Sequence, residues 1–365
     1  MPSRFLSWLL GVIGDWLAIY AYAAMRAWSH CSVGGASPVG NQKFLNSFGS
    51  ISSIGTATAK QRLIAAIGIK TSNSDALVSF SSDGLDFSNS GVDLGFANFN
   101  AVGADNGGAL FGGLVAVATC KFYALNTGTS GTFTPGNSSV VEAAHYSVSH
   151  YLIGAGATVY SAITLGGTWT STGIGSVGDS IRTFVHNGDA PPSGLPRVIL
   201  GEVLVANSHY VVRYSSDDGV TWTLGKDFGV VALSLCYSEA SDQFLALDTT
   251  NKQLWSSADG TTWTLLRTVA SLDTGGISGH HTMAACGPAI AHLVKHTSVA
   301  NQQLNGIAYT LDLGLTWREV YFGNVNTGQP MRALINANGR FVALDDFNTY
   351  VSGFLEANDG LYSGA

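Results

Sequence analysis

Carboxylates are the side chains that hydrolysis of a sugar usually needs, and glutamate is scarce in this sequence. Glycoside hydrolysis usually requires two carboxyl groups that face each other across the scissile bond. None of the glutamates stands in a recognisable motif, and the linear sequence does not show which of them meet. The sequence therefore predicts no catalytic residue. The five glutamates are Glu142, Glu202, Glu239, Glu319 and Glu356.

Histidine and cysteine, which bind transition metals, do not follow a metal-ligand spacing here. His292 and His296 are four residues apart and would share a face on a helix, but residues 291–294 favour a strand. His280 and His281 lie in a Gly-rich stretch. We expect loop or core histidines, buried cysteines, no metal and no cofactor. The widely spaced cysteines are Cys31, Cys120, Cys236 and Cys286.

Charge is scarce in this chain of 365 residues. Charged residues make up 11% and apolar residues 46% of the sequence, and the net charge is −7. Globular proteins usually have about a quarter of their residues charged. No basic run or basic-aromatic patch is present, so nucleic acid is not an expected partner. A surface with so little charge suits a subunit that is largely buried in an assembly.

One short pattern recurs along the chain. Residues 214–222 are echoed at 255–263 and 309–317, and more weakly at 80–87 and 160–169. Each copy predicts a hairpin, in which Asp and Gly make a tight turn between two strands. The predicted structural turn residues are Asp83, Gly84, Asp217, Gly219, Trp222, Asp259, Gly260, Trp263, Asp312, Gly314 and Trp317.

The form Ser/Thr-x-Asp-x-Gly-x-Thr-Trp resembles the Asp-box of sialidase-like (BNR-repeat) β-propellers. Residues 215–222 and 310–317 match it fully, whereas the third copy has Ala258 in place of the first Asp and carries Asp259. The resemblance implies that the boxes are structural turns on the blade periphery, away from the ligand face. The arginine triad and the Tyr-Glu pair of sialidases have no matching motif, and residues 61–64 are the nearest to the family's Phe/Tyr-Arg-Ile-Pro start.

The spacing of the hairpins predicts the fold class. The aromatic residues that close successive units recur about every 45 residues, a period typical of propeller blades. We expect an all-β fold in which residues 59–365 form a β-propeller with seven blades, six being the alternative. The closing aromatics are Phe87, Phe133, Trp169, Trp222, Trp263, Trp317 and Tyr362.

Residues 1–30 form a separate apolar unit with three interpretations. It could be a signal peptide, a membrane helix, or a hydrophobic N-terminal helix buried against partner subunits. An unpaired Asp15 at the middle of a membrane helix would cost roughly 3 kcal/mol, so the assembly helix is favoured and the membrane helix is second. Residues 31–58 are read as a Gly/Ser-rich arm or linker. The predicted assembly-helix residues are Trp8, Leu9, Ile13, Asp15, Trp16 and Leu17.

This organisation resembles that of bacteriophage virion proteins. We expect a non-enzymatic structural or host-adsorption component of a phage tail or tail fibre, docked by its N-terminal helix. Through residues 1–30, its expected partners are other virion subunits or a second copy of the chain. A host-surface glycan or protein is a further expected partner. Any membrane contact would also be made by residues 1–30. The alternative is a carbohydrate-binding or glycoside-cleaving sialidase-like propeller, membrane-anchored or extracellular. A plain interaction scaffold in a cell is third.

Overall fold

The structure of the chain is a computed structural model. All the regular elements in the part of the chain that it describes are antiparallel β-strands. No helix is present among these residues, so the predicted all-β class is confirmed. For residues before 101, and for some strand residues after it, only the backbone is described. The described residues are 29–32, 42–54, 61–70, 75–81, 92–97, 99–104, 109–114, 120–124, 129–136, 140–147, 149–187, 198–206, 209–269, 282–297, 303–321, 331, 333–337, 340–344 and 348–352.

The described strands form seven four-stranded sheets. Sheet 1 contains β2 Gln42–Ile54, β3 Gln61–Lys70, β4 Asp75–Ser81 and β5 Val92–Ala97. Sheet 2 contains β6 Phe99–Ala104, β7 Ala109–Leu114, β8 Cys120–Ala124 and β9 Thr129–Phe133. Sheet 3 contains β10 Val141–Tyr146, β11 Tyr151–Ala155, β12 Thr158–Ala162 and β13 Thr170–Gly173.

The remaining sheets repeat this order. Sheet 4 contains β14 Ser180–His186, β15 Ile199–Val205, β16 His209–Ser215 and β17 Thr223–Val230. Sheet 5 contains β18 Leu233–Ser238, β19 Gln243–Asp248, β20 Gln253–Ser257 and β21 Thr264–Thr268. Sheet 6 contains β22 Met283–Cys286, β23 Ala289–Thr297, β24 Gln303–Thr310 and β25 Arg318–Tyr321. Sheet 7 contains β26 Ala333–Ala337, β27 Arg340–Leu344, β28 Asn348–Val351 and, from the start of the chain, β1 Ser29–Ser32.

The first strands of the sheets follow one another in a circuit. Each contacts the first strand of the next sheet, from β2 through β26, and β26 contacts β2. The fourth strands are the most exposed, as in β13 and β17, whereas the second strands are almost wholly buried. The first strands therefore lie next to one another, and the fourth strands lie on the exposed side of their sheets.

The hydrophobic core is divided among the spaces between neighbouring sheets. One cluster joins Leu152 of sheet 3 to Phe184 and Val203 of sheet 4. The next joins Leu200 of sheet 4 to Phe244 of sheet 5. Because both faces of a sheet are covered, its second strand is a continuous apolar run and not an alternating one.

The antiparallel order gives every sheet two distinct ends. The turns between strands one and two, and between strands three and four, lie at one end, which we call the box end because it carries the Asp-box turns. The turns between strands two and three, and the connections to the next sheet, lie at the opposite end. Side chains near the start of a first strand therefore lie at the end opposite the boxes.

Two predicted boundaries change in the structure. The strand β2 pairs with β3 and lies within the predicted linker of residues 31–58, so the sheets begin before residue 59. Ser29 and His30, predicted to end the helix, pair with β28. Composition alone hid β1, because edge pairing to a distant strand does not require an apolar run. Residues 1–28 of the predicted helix lie outside the described residues. No helix in the described part is long and apolar enough to cross a membrane.

Three of the four cysteines are buried and not in disulfides, namely Cys120, Cys236 and Cys286. For these three the expectation of buried cysteines is confirmed. Burial raises the pKa of the Cys120 thiol to about 12, so this thiol stays protonated at neutral pH. All three lie in strands, where they contribute to the apolar clusters between sheets.

Candidate functional site

The Asp-box turn of sheet 4 is held by a local hydrogen-bond network. Asp217 accepts hydrogen bonds from the Thr221 amide at 2.8 Å, the Thr221 hydroxyl at 2.5 Å and the Ser215 hydroxyl at 2.8 Å. The Gly219 amide donates to Ser215 Oγ, and Trp222 Nε1 donates to the Gly219 carbonyl, both at 2.8 Å. The carboxylate therefore organises the turn, and the indole closes it.

The turns of sheets 5 and 6 use equivalent bonds. Asp312 accepts from the Thr316 amide at 2.9 Å and the Thr316 hydroxyl at 2.7 Å. Asp259 accepts from the Thr261 and Thr262 amides at 2.8 and 2.7 Å. Burial raises the pKa of Asp259, but these hydrogen bonds outweigh it and bring the pKa to about 2. The copy with the shifted acid thus makes a related turn that is one residue shorter, because the Gly260 amide donates to the Ser257 hydroxyl three residues before it, whereas the Gly314 amide donates to the Thr310 hydroxyl four residues before it. Asp83 and Gly84 lie outside the described residues.

Each box turn also packs against the preceding sheet. The Thr172 hydroxyl of sheet 3 donates to the Val220 carbonyl of the sheet 4 turn at 2.9 Å. Arg267 Nε of sheet 5 donates to the Leu313 carbonyl of the sheet 6 turn at 2.7 Å. The boxes therefore connect neighbouring sheets.

Replacing Asp217 or Asp312 by alanine should lower stability without changing any specific binding. Either change removes hydrogen bonds to the turn, at a cost of about 1 kcal/mol. Urea unfolding of each variant checks the loss, with Thr223→Ala on the exposed start of β17 as a control outside the turn. A variant that kept wild-type stability and lost a specific binding activity would contradict this structural role.

At the opposite end, β-bulges lie near the start of two neighbouring first strands. The register of β10 shifts between Val141 and Ala143, and that of β14 shifts between Ile181 and Thr183. The residues inside these shifts are Glu142 and Arg182. A bulge re-aims the side chain that it carries, which frees these two residues from the alternation that directs their neighbours into the core.

The two bulged residues meet across adjacent sheets. Arg182 Nη1 lies 3.0 Å from Glu142 Oε2, and both side chains are partly exposed. The Ser180 hydroxyl donates a further hydrogen bond to Glu142. Guanidinium, carboxylate and hydroxyl groups thus share one partly exposed site in a molecule with few charges. We call these three residues, with Glu202 and Tyr210 behind them, the opposite-end cluster.

Glu202 and Tyr210 give the opposite-end cluster a buried inner layer. Burial raises the pKa of the Glu202 carboxyl to about 8, although the positive charge of Arg182 acts against this rise. Glu202 is therefore mostly protonated at neutral pH. Burial and the neighbouring Glu202 also raise the pKa of Tyr210 to about 12. Arg182 consequently pairs with Glu142 and also acts electrostatically on the neutral Glu202 carboxyl, an arrangement that the linear sequence did not reveal.

Glu202→Gln should stabilise the protein increasingly as pH rises. The folded state prefers the neutral carboxyl, whereas the unfolded chain ionises near pH 4.3. Wild-type stability is therefore complete below about pH 4 and falls until about pH 8, by an amount on the order of a few kcal/mol. Urea unfolding at pH 5, 7 and 8.5 should show a growing advantage of the variant. Exposed Glu239→Gln is the control, and parallel pH profiles for Glu202→Gln and wild type would show that Glu202 is ionised in the fold.

The histidine singled out in β23 belongs to the core. His292 Nε2 lies 3.1 Å from the Ser234 hydroxyl of sheet 5, which in turn contacts the Thr282 hydroxyl. Burial lowers the pKa of His292 to about 4, so the imidazole is neutral at physiological pH. His280, His281 and the His296 side chain lie outside the described part. Within that part, no three His, Cys, Asp or Glu side chains form a group that could hold a metal ion.

Comparison with solved structures shows a β-propeller-like fold. Virginiamycin B lyase from Staphylococcus aureus, solved as a catalytically inactive variant with quinupristin, is 7% identical with a TM-score of 0.60, over 90% of this chain and 99% of that one. YCF48 bound to D1 peptide is 9% identical with a TM-score of 0.53, over 90% and 96%. A chain of the mitotic checkpoint complex is 14% identical with a TM-score of 0.57, over 90% and 94%.

One of these proteins corrects the expectation that the chain is not an enzyme. Virginiamycin B lyase is an enzyme with this fold. The expectation rested on the absence of sialidase motifs from the sequence. Such motifs indicate the reaction of sialidases only, and they say nothing about other enzymatic reactions. At this identity the likeness shows the fold alone. Neither a protein-family model nor a curated protein matches the sequence. The comparisons therefore assign this chain a β-propeller-like fold.

Proposed function

We propose that the chain is a host-adsorption component of a bacteriophage particle that binds a host-surface glycan at the opposite-end cluster. The observation that carries the proposal is the Glu142–Arg182 ion pair, with Ser180, on bulged first strands at the end opposite the boxes. The resemblance to Asp-box propellers implies a ligand face on that same side, away from the boxes.

The chemistry of the opposite-end cluster suits a polyhydroxylated ligand. Sugar hydroxyls donate to a carboxylate and accept from a guanidinium, so the Glu142–Arg182 pair offers both kinds of partner. The buried Glu202 carboxyl, which interacts electrostatically with Arg182, adds no negative charge of its own at neutral pH. The low charge of the rest of the chain makes this pair a distinctive polar feature.

The scaffold of the proposal is a seven-bladed propeller. Three observations support this blade count: seven four-stranded sheets, a circuit of contacts between their first strands, and a fourth strand of sheet 7 that comes from the start of the chain. Radial sheets of this kind leave their first strands around the centre, where the opposite-end cluster lies. Such a rigid arrangement suits a surface that presents a receptor site.

The virion part of the proposal rests on sequence organisation. A sparsely charged chain with an apolar first 30 residues suits a subunit held in a larger assembly. Its expected partners there are other virion subunits or a second copy of the chain. Mass spectrometry of purified phage particles should detect the chain at a fixed copy number. Its consistent absence from particles produced by the same genome would overturn this part.

Glycan binding is tested with the full chain and a panel of purified bacterial capsule, O-antigen and teichoic acid polysaccharides. We expect one class to bind, and Glu142→Gln and Arg182→Lys each to weaken binding at least about tenfold, since charge-assisted hydrogen bonds are worth roughly 1.5–3 kcal/mol. Asp227→Asn and Lys226→Arg on β17 are charge-matched controls that should bind normally. Equal binding by all four variants would overturn the site. Reducing ends released in the same incubations would show that the protein also cleaves the glycan.

A further inference from the structure

The positive charge of the opposite-end cluster is already paired with a negative one. Arg182 Nη1 lies 3.0 Å from Glu142 Oε2, and the two side chains are 26% and 17% exposed. The Ser180 hydroxyl also donates to Glu142. At this distance the two opposite charges largely cancel for a group that approaches from solvent. The ion pair therefore presents hydrogen-bond donors and acceptors without a net positive charge.

A second carboxylate lies next to the ion pair in the chain. Asp179 directly precedes Ser180 and is 7% exposed. Its oxygens accept hydrogen bonds from the Ser176 amide at 2.7 Å and the Ala206 amide at 3.0 Å, which hold it at the same end of sheet 4. These amides carry no formal charge, so the negative charge of Asp179 remains. Two negative charges thus accompany the positive charge of Arg182, in a chain whose net charge is −7.

The inner layer of the cluster contributes two groups that are mostly neutral at pH 7. Glu202 has a pKa of about 8 and Tyr210 a pKa of about 12, chiefly because both are buried. An anionic ligand group would therefore have to displace Glu142 from Arg182 and then lie against the Glu142 carboxylate. Like charges placed side by side are a common means by which a binding site rejects a ligand.

We propose that the opposite-end cluster selects uncharged sugar units and rejects negatively charged ones, and that Glu142 sets this preference. Neighbouring hydroxyls of a neutral sugar can donate to Glu142 and accept from Arg182 while the ion pair stays intact. An acidic sugar meets the charge of Glu142 instead. This inference rests on the proposed glycan binding, to which it adds the chemical class of the sugar and the residue that determines it.

The test compares two forms of the same polymer, so that only the charge of the sugar differs. Capsule polysaccharide that contains uronates is used as prepared and after reduction of its carboxyl groups to primary alcohols. Neutral O-antigen is used as prepared and after oxidation of its primary alcohols to uronates. Binding of the full chain is measured at pH 7 for wild type, Glu142→Gln and Glu142→Asp. Glu239→Gln, which removes an exposed negative charge at the box end, is the matched control.

We expect wild type and Glu239→Gln to bind the neutral form at least about tenfold more tightly than the acidic form. Glu142→Asp keeps the charge and should keep this preference, even where it weakens binding. Glu142→Gln leaves the charge of Arg182 uncancelled, so its preference should move toward the acidic form by at least about tenfold.

The outcomes separate this inference from the proposed function. A wild-type preference for the acidic form that Arg182→Lys abolishes would overturn the inference and retain the glycan site. A neutral preference that Glu142→Gln leaves unchanged would also overturn it, because Glu142 would not be its cause. Failure of wild type to bind either form of any polymer would overturn the proposed function and this inference together. Urea unfolding confirms that the compared variants are folded, and the wild-type comparison needs no variant.

Discussion

A chain that lacks its first 32 residues should be several kcal/mol less stable than one that lacks its first 28. The longer deletion removes β1, which pairs with β28 over four residue pairs from Ser29 to Ser32. Each lost backbone hydrogen bond costs about 1 kcal/mol, and the freed edge of β28 becomes open to other chains. Deleting 28 residues leaves this pairing in place.

Urea unfolding of both truncated proteins, followed by light scattering, measures this difference. We expect a lower midpoint and greater aggregation only for the longer deletion. A full-length chain with Cys31→Pro, which removes one backbone donor from β1, should lie between them. Equal midpoints for the two truncations would show that sheet 7 does not depend on β1. Deletion of residues 1–30 would remove half of β1, so the assembly role of the apolar segment is better tested by a deletion that ends at residue 28.

Gly219→Ala should cost roughly 2–4 kcal/mol of stability. Gly219 has φ +88°, a conformation that disfavours a side chain by about 1 kcal/mol. Its added Cβ would also lie 2.6 Å from Leu152 Cδ2 and 2.8 Å from Leu152 Cδ1 of sheet 3. Leu152 is fully buried, so its side chain must shift among packed neighbours, and this overpacking adds about 1–3 kcal/mol.

A matched glycine separates the two causes. Gly229 also has positive φ, +64°, but an added Cβ would meet nothing within 4 Å. Gly229→Ala should therefore show the backbone cost alone, about 1 kcal/mol. Chemical denaturation of both variants gives the comparison. A double variant, Gly219→Ala with Leu152→Ala, should lose less than the sum of the single changes, because the smaller side chain makes room. If the losses of unfolding free energy were additive, the Cβ added at position 219 would not be in steric conflict with Leu152 of sheet 3.

Local features of the fold were predictable from the sequence. The turn around Asp217 depends on residues within a few positions of it, from Ser215 to Trp222, so a short pattern specifies it. The repetition of that pattern indicated an all-β chain of many hairpins. Continuous apolar runs such as residues 244–247 marked strands buried on both faces.

Contacts between distant parts of the chain were decided only by the tertiary structure. β1 is four residues of no marked pattern, and it becomes a strand because β28, near the other end of the chain, offers an open edge. Glu142 and Arg182 meet because two bulges shift their strands, and a bulge leaves no signature in residue types. The protonated state of Glu202 likewise follows from burial among residues of several strands. Hydrogen bonds between residues that are close in sequence can be predicted from the sequence. Burial and charge pairing between sheets depend on which distant residues the tertiary structure brings together.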